Sequence, residues 1–341
     1  MLRVGVAVLA AAAASTLAAV LASGSALGSP VGCGAVLTHD TVLAGDLTGC
    51  AGDGLIIGAS GITVDLAGHT ISGTRAAGSV GIRDVGFDRV KILNGGIGPV
   101  GAAVPGFDVG VALTGGANHN QLRGLSVFDN ASDGIAISGS SGNRIEGSTV
   151  SDNDAHGIVL RDSTGNLLRG NRVNANNQSG SPVDEVGNIA LIDSERNRVL
   201  ANDMSVSNAT GILLRGADHN VIARNLSGSI GSDGNGGYGI ALFGSDRNQV
   251  RGNTAAENVL GGIFVAAGSR GNRLTHNVAS LNRADGIHVD DPATTILRNI
   301  ADDNAVDLNA LGIEAVPGVV AHGNEAHGNG NPLQCLNVVC S

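Results

Sequence analysis

The stretch Gly157-Ile158-Val159-Leu160-Arg161-Asp162-Ser163-Thr164-Gly165-Asn166-Leu167-Leu168-Arg169-Gly170-Asn171-Arg172-Val173-Asn174-Ala175-Asn176 decides the fold. Its apolar residues come in very short runs: Ile158 and Leu160, then Leu168, then Val173. Alternation with a period of two is the pattern of a strand whose every second side chain points inward. No run supports the 3.6-residue period of a helix. Each strand is about three to five residues long and is bounded by Gly, Asn, Asp or Ser, the turn formers. Three short strands and three turns in about 23 residues make one triangular coil.

The coil repeats along the chain. A glycine-plus-aliphatic doublet returns at Gly110-Val111, Gly134-Ile135, Gly157-Ile158, Gly211-Ile212, Gly239-Ile240, Gly262-Ile263, Gly286-Ile287 and Gly312-Ile313, with Asn188-Ile189 as a variant. An asparagine follows most doublets after nine or ten positions, as in Asn143, Asn166, Asn197, Asn220 and Asn248. Looser columns hold Asn171, Asn202, Asn225 and Asn253, and Asn130, Asn153, Asn176 and Asn258. A period in this range means a solenoid of stacked coils. Stacked strands pair in parallel about 4.8 Å apart. Like residues then sit on like, with Ile135, Ile158, Ile189, Ile212, Ile240, Ile263 and Ile287 in one inward column. The asparagines are expected to adopt the left-handed turn conformation themselves and to bond their counterparts above and below.

The 341 residues carry a formal net charge of -10, which argues against a nucleic-acid partner. Tyr238 is the single tyrosine and tryptophan is absent, a scarcity that weighs mildly against a large sugar-stacking platform. Residues 1–28 read as an export leader: Arg3, an apolar run from Val4 to Leu21, and a small-x-small site at Ala26-Leu27-Gly28. The reading is of a secreted or cell-envelope monomer, free of the membrane once the leader is removed. Export makes disulfides chemically sensible. Of three possible connectivities for Cys33, Cys50, Cys335 and Cys340, Cys33–Cys50 with Cys335–Cys340 is expected, because a long rod keeps its ends apart. The expected divisions are capping coils at 29–80, repeats at 81–330 and a C-terminal cap at 331–341.

The opening coils, with Cys33-Gly34-Ala35-Val36-Leu37, Thr41-Val42-Leu43-Ala44-Gly45-Asp46-Leu47-Thr48-Gly49-Cys50 and Ile62-Thr63-Val64-Asp65-Leu66-Ala67-Gly68-His69-Thr70-Ile71-Ser72-Gly73, resemble those of the right-handed parallel β-helix repeat proteins. Within that pectin-lyase-like class the NosD-like bacterial secreted group is the most similar. The resemblance covers roughly residues 33 to 330. It implies an all-β, single-stranded right-handed parallel β-helix of about a dozen coils. It implies no single reaction, because the fold hosts lyases, hydrolases, epimerases, adhesins and accessory proteins. The family's catalytic motifs are not matched. Asp290-Asp291 lacks the Gly-His-Gly context of the galacturonan hydrolases, and Asp291-Pro292 continues into Ala293-Thr294 where the alginate epimerases have His-Asp. A NosD-like copper role would want Met, Cys or His clusters, and the histidines are scattered.

Function in such rods sits where longer loops interrupt the repeat. Insertions fall at about 95–108, 177–187 and 228–237. Between the first two, Asp133 and His156 are expected to point into the gap with Arg161 beside them. A carboxylate or imidazole could take a proton there while the guanidinium holds an acid group, which is lyase or epimerase chemistry on a uronate; the same residues also read as solvated turns. Arg123, Arg144, Arg169, Arg198, Arg251 and Arg273 are expected to stack into one basic stripe on the second strand. Such a stripe would suit an extracellular acidic polysaccharide or cell-wall polymer, or would serve only as a soluble sheet face. No cofactor is implied, although Asp285, His288, Asp290 and Asp291 could hold calcium through oxygen ligands. Outward positions of the doublet strand (Ala112, Ala136, Val159, Ala190, Leu213, Ala241, Phe264) are small or apolar, as if a loop or partner covers them.

Overall fold

A computed structural model describes residues 31–100, 105–228, 234–305 and 309–341. The expected leader lies outside them, as do parts of the first and third insertions. Gly32–Ser341 forms one continuous unit, and no helix occurs among its described residues. Thirteen parallel strands, from Ala35–Leu37 to Cys335–Leu336, build the face called sheet A here. Two further parallel faces, sheets B and C, complete the triangle, as with Leu167–Arg169 and Arg172–Asn174 in the coil quoted above. Sheets B and C merge where Lys91–Ile97 and Gln121–Phe128 run unbroken through the corner between them. The segment expected as a C-terminal cap extends sheet A by one strand, Ile313 pairing with Cys335.

The inward isoleucine column is present in register, Ile135 beside Ile158, Ile189, Ile212, Ile240, Ile263 and Ile287. All seven are buried. The doublet glycine ahead of each isoleucine is there for space. A Cβ on Gly157 would lie 2.3 Å from Val173 Cγ1 and 2.6 Å from Asn176 Nδ2. The variant doublet has its own cause: one coil later the expected asparagine is replaced by Ser207, and Asn188 Oδ1 instead accepts from Asn176 Nδ2 at 2.9 Å.

The asparagine ladders differ from expectation in one respect. The left-handed residue is the one before each asparagine: Gly170 before Asn171, Ala201 before Asn202, Arg224 before Asn225, Gly252 before Asn253 and His276 before Asn277. That residue kinks the chain outward, so the asparagine behind it turns inward. Asn171, Asn202, Asn225 and Asn253 are buried, and each Oδ1 accepts the backbone N–H of the preceding coil's asparagine, or of Ser148 in the case of Asn171, at 2.9–3.0 Å. The same pairing of kink and ladder recurs at the other two corners, as with Arg196 before Asn197 and Glu257 before Asn258.

Both expected disulfides are formed, Cys33–Cys50 and Cys335–Cys340. They tie down the first and last coils, which have a neighbour on one side only.

One core position breaks the apolar pattern. Asp84 is fully buried beside Leu113, accepting from Phe87 N at 3.0 Å and Asn120 Nδ2 at 3.1 Å. Burial pushes its carboxyl up to about 6, with the Phe87 N–H opposing and the Asp88 charge assisting. Its folded pKa therefore exceeds the unfolded value of about 3.9, and the fold favours the protonated form. That contribution is complete below about pH 4 and is lost as pH rises through 6. Stability from Asp84 should fall by about 2 kcal/mol across this window. The pH dependence of melting should flatten there in Asp84→Asn; an unchanged slope in that variant would exclude Asp84 as its source.

Candidate functional sites on two faces

The Asp133, His156 and Arg161 side chains do come together. Arg161 Nη1 donates to Asp133 Oδ2 at 3.0 Å, and the His156 backbone N–H donates to Asp133 Oδ1 at 3.2 Å. They do not open into a gap, however. Asp133 and His156 are each 5% exposed, and His156 Nδ1 accepts from the Gly187 N–H at 3.2 Å. Burial lowers the imidazole's pKa, with the Asp133 charge opposing and Arg161 assisting, so His156 is neutral and held by the backbone. Gly187, the last residue of the 177–187 insertion and the first of the strand Gly187–Ile192, stands in register with His156 one coil on, as Ile189 does with Ile158. The same insertion lies on the outer face of sheet A, where Val183 O accepts from Thr210 Oγ1 at 2.8 Å. This face is covered as its composition suggested: Val159, Ala190, Leu213 and Ala241 form a fully buried cluster on it.

The apolar column on this face changes character further along the rod. Register places Ala241, Phe264, His288 and Glu314 side by side. Phe264 stacks on Tyr238 with ring centroids 4.9 Å apart and planes at 12°, and lies 5.5 Å from the His288 ring. Phe243 joins them at 5.6 Å, and the Arg215 guanidinium lies 6.0 Å from the Phe243 ring centre. Half of the chain's six phenylalanines and tyrosines thus meet in one place, so their overall scarcity is no argument against an aromatic surface.

His288 is bonded on both ring nitrogens, Nδ1 to Asp285 Oδ2 at 3.1 Å and Nε2 to Asp290 Oδ1 at 3.0 Å, with Glu314 Oε2 3.4 Å from Nδ1. The Asp285 bond, against the cost of burial, and then Asp290 and Glu314 raise the imidazole to about 9, making it a cation at neutral pH. Burial pushes Asp285 up, but its bonds to His288 and the Leu311 N–H outweigh it and hold the carboxyl below the ordinary range. Burial and the hydrogen bond to Asp285 raise Glu314. Asp291, expected in this group, is elsewhere: it is buried, with its carboxylate accepting from Ala293 N and Gly268 N in a turn. Glu314 takes its place. One donor atom each from Asp285, His288 and Glu314 lies within 4.8 Å of the others. That mixed nitrogen and oxygen set suits a transition metal better than calcium.

The arginine stripe is present but is not one column. A three-residue strand of sheet B has one inward residue flanked by two outward ones, and the six arginines divide between the two flanks. Arg144, Arg198 and Arg273 share one flank with Lys91, and Arg123, Arg169 and Arg251 share the other with Glu146. At the adjoining left-handed corner stand Arg224 and Arg298. Taken in coil order, Lys91, Arg123, Arg144, Arg169, Arg198, Arg224, Arg251, Arg273 and Arg298 supply one cation from each of nine successive coils. All nine are exposed, and none forms an ion pair among the described residues. Two open grooves lie along this corner. One of about 830 Å³ is lined by Arg123, Glu146, Arg169 and the corner glycines Gly124, Gly147 and Gly170, and one of about 430 Å³ by Arg273, His276, Arg298 and His322.

Residues 188–337 match the family described as right handed beta helix region, and the overlapping stretch 100–228 matches that described as periplasmic copper-binding protein (NosD). The chain folds as a right-handed parallel β-helix. Solved β-helices resemble it at low identity. The A-module of the Azotobacter vinelandii mannuronan C-5 epimerase AlgE4 has a TM-score of 0.68 at 14% identity, with 91% of each chain covered. A double mutant of the periplasmic alginate epimerase AlgG has a TM-score of 0.57 at 14% identity, covering 85% of this β-helix and 70% of that chain. The DFA-IIIase of Arthrobacter chlorophenolicus A6 without its lid has a TM-score of 0.54 at 13% identity, covering 88% and 74%. No curated protein matches the sequence.

Proposed function

We propose that the protein is an extracytoplasmic binder of acidic polysaccharide, with the polymer lying lengthwise along the corner between sheets B and C. The observation that carries this reading is the cation in each of nine successive coils, none of them ion-paired among the described residues, on a chain of net charge -10. Unpaired arginines on an acidic rod leave a linear field that attracts and aligns a polyanion. Guanidinium forks suit carboxylates and are always charged. The coil rise of about 4.8 Å is close to the length of one pyranose residue, so an extended uronan would present about one carboxylate per coil. Two disulfides and the match to a family described as periplasmic support a location outside the cytoplasm. Two of the similar structures are named for mannuronan and alginate, which agrees with an acidic polymer.

Calorimetric titration with oligouronates of increasing length tests the reading. Affinity is expected to grow with each added residue and to level off once the oligomer spans the nine coils. It should fall linearly on a log–log plot against salt, as polyelectrolyte binding does. A neutral glycan binding equally well, or affinity independent of oligomer length, would overturn it.

A further inference from the structure

The cations of the track change flank from coil to coil. Register sets Lys91, Gln121, Arg144, Leu167 and Arg198 in one outward column of sheet B, and Leu93, Arg123, Glu146, Arg169 and Leu200 in the other. Each coil thus carries its cation on the flank that the coil before it leaves free. A cation returns to the same flank after two coils, a rise of about 9.6 Å, and the flanks lie about 6.6 Å apart along the strand. Beyond Arg198 the order is lost, because Arg224 and Arg298 stand at the corner itself. The groove of about 830 Å³ falls within the alternating coils, with Leu93, Arg123, Glu146 and Arg169 among its lining residues.

We infer that these five coils select a uronan with a flat ribbon backbone, one whose glycosidic bonds are all equatorial. The inference rests on the reading of the track as a polyanion site. In such a chain each ring is flipped relative to the last, so the carboxylates leave alternately from the two edges of the ribbon. Two rings span about the rise of two coils, and each carboxylate then meets a cation on its own edge. The opposite edge of the same ring carries hydroxyls. Those hydroxyls face Gln121 where the carboxylate meets Arg123, and Glu146 where it meets Arg144; both side chains accept hydrogen bonds. This gives an acidic residue a place inside a cationic track. A uronan with axial linkages winds about its axis, and its carboxylates do not keep to two alternating edges.

Calorimetric titration with two oligomers of equal length and charge tests the inference: β-linked oligoglucuronate, joined equatorially, and α-linked oligogalacturonate, joined axially. The first is expected to bind at least about tenfold more tightly. Leu167→Arg/Arg169→Leu then moves one cation to the other flank without altering composition or the count of cations per coil. It sets residue 167 as a cation directly between Arg144 and Arg198, and the ratio of the two affinities should fall to about one. Arg198→Leu/Leu200→Arg makes the same change one coil on and should act alike, so poor folding of one variant leaves the test intact. Equal affinity for both oligomers in the unmodified protein would overturn the inference. So would an unaltered ratio in the swapped variants, which would show that alternation only keeps like charges from stacking. Failure of either oligomer to bind at all would instead overturn the reading of the track, and this inference with it.

Discussion

Asn225→Ala is expected to cost about 4 kcal/mol of stability, far more than a polar-to-alanine change on a surface. Asn225 is 2% exposed and is bonded in both directions. Its Oδ1 accepts from Asn202 N at 2.9 Å and Asn202 Nδ2 at 3.1 Å, while its Nδ2 donates to Val199 O at 2.9 Å and Asn253 Oδ1 at 3.0 Å. Alanine removes all four. Asn202 Nδ2 keeps a bond to Leu168 O, but the Asn202 backbone N–H is left buried and unmet. Each such orphan costs about 1–3 kcal/mol, and the space vacated adds a cavity term. The damage sits mid-rod, where each coil contacts only its neighbours, so it should also loosen the coupling between the two halves. Guanidinium unfolding should show a lowered midpoint and a shallower or divided transition. The control is Gln249→Ala, on an exposed strand position, which should shift stability by under about 0.5 kcal/mol. Equal effects of the two changes would show that the ladder is not what holds the corners.

The sequence made the ladder and the core column legible because both repeat at a nearly fixed interval and both are inward. An inward position tolerates few residue types, so Ile135, Ile158 and Ile212, or Asn202, Asn225 and Asn253, align by identity alone. Outward positions carry no such constraint. The arginines alternate between two flanks of one inward residue, and only strand register separates Arg144 from Arg169. The column ending at Phe264 continues to His288 and Glu314, each the residue after a doublet isoleucine, but its residue type changes there from apolar to charged, and that change hides the partnership. Burial of His156 was illegible for a different reason. The spacing that pairs Ile158 with Ile189 also sets Gly187 beside His156, but how far the surrounding side chains enclose the imidazole is not written in that spacing. The fold was therefore readable residue by residue, while both candidate sites depended on register and on loops.

Arg144→Glu/Arg169→Glu/Arg198→Glu, a reversal in three successive coils, is expected to lower oligouronate affinity at least about 100-fold at low salt. These cations are exposed and unpaired among the described residues, so reversing them breaks no ion pair, and surface charges of this kind contribute little to stability. The melting temperature should stay within a few degrees of the unmodified protein. Binding should suffer heavily, because a polymer lying across all nine coils meets three repulsive positions at the centre of its contact. Each lost contact also removes a released counterion, so the slope of log affinity against log salt should shrink by about two to three. Net charge by itself must be separated from placement. Arg247→Glu/Arg270→Glu/Arg283→Glu alters the formal charge equally at exposed residues on the other two corners. Arg283 stands on a far corner, while Arg247 and Arg270 stand beside the flank of Arg273 but outside the three reversed coils, and salt at 0.1 M screens charges over about 10 Å. That control should therefore lose less than about fivefold in 0.1 M salt. If the two triple variants lose affinity alike, attraction to the polymer comes from overall charge, and the corner between sheets B and C is not its path.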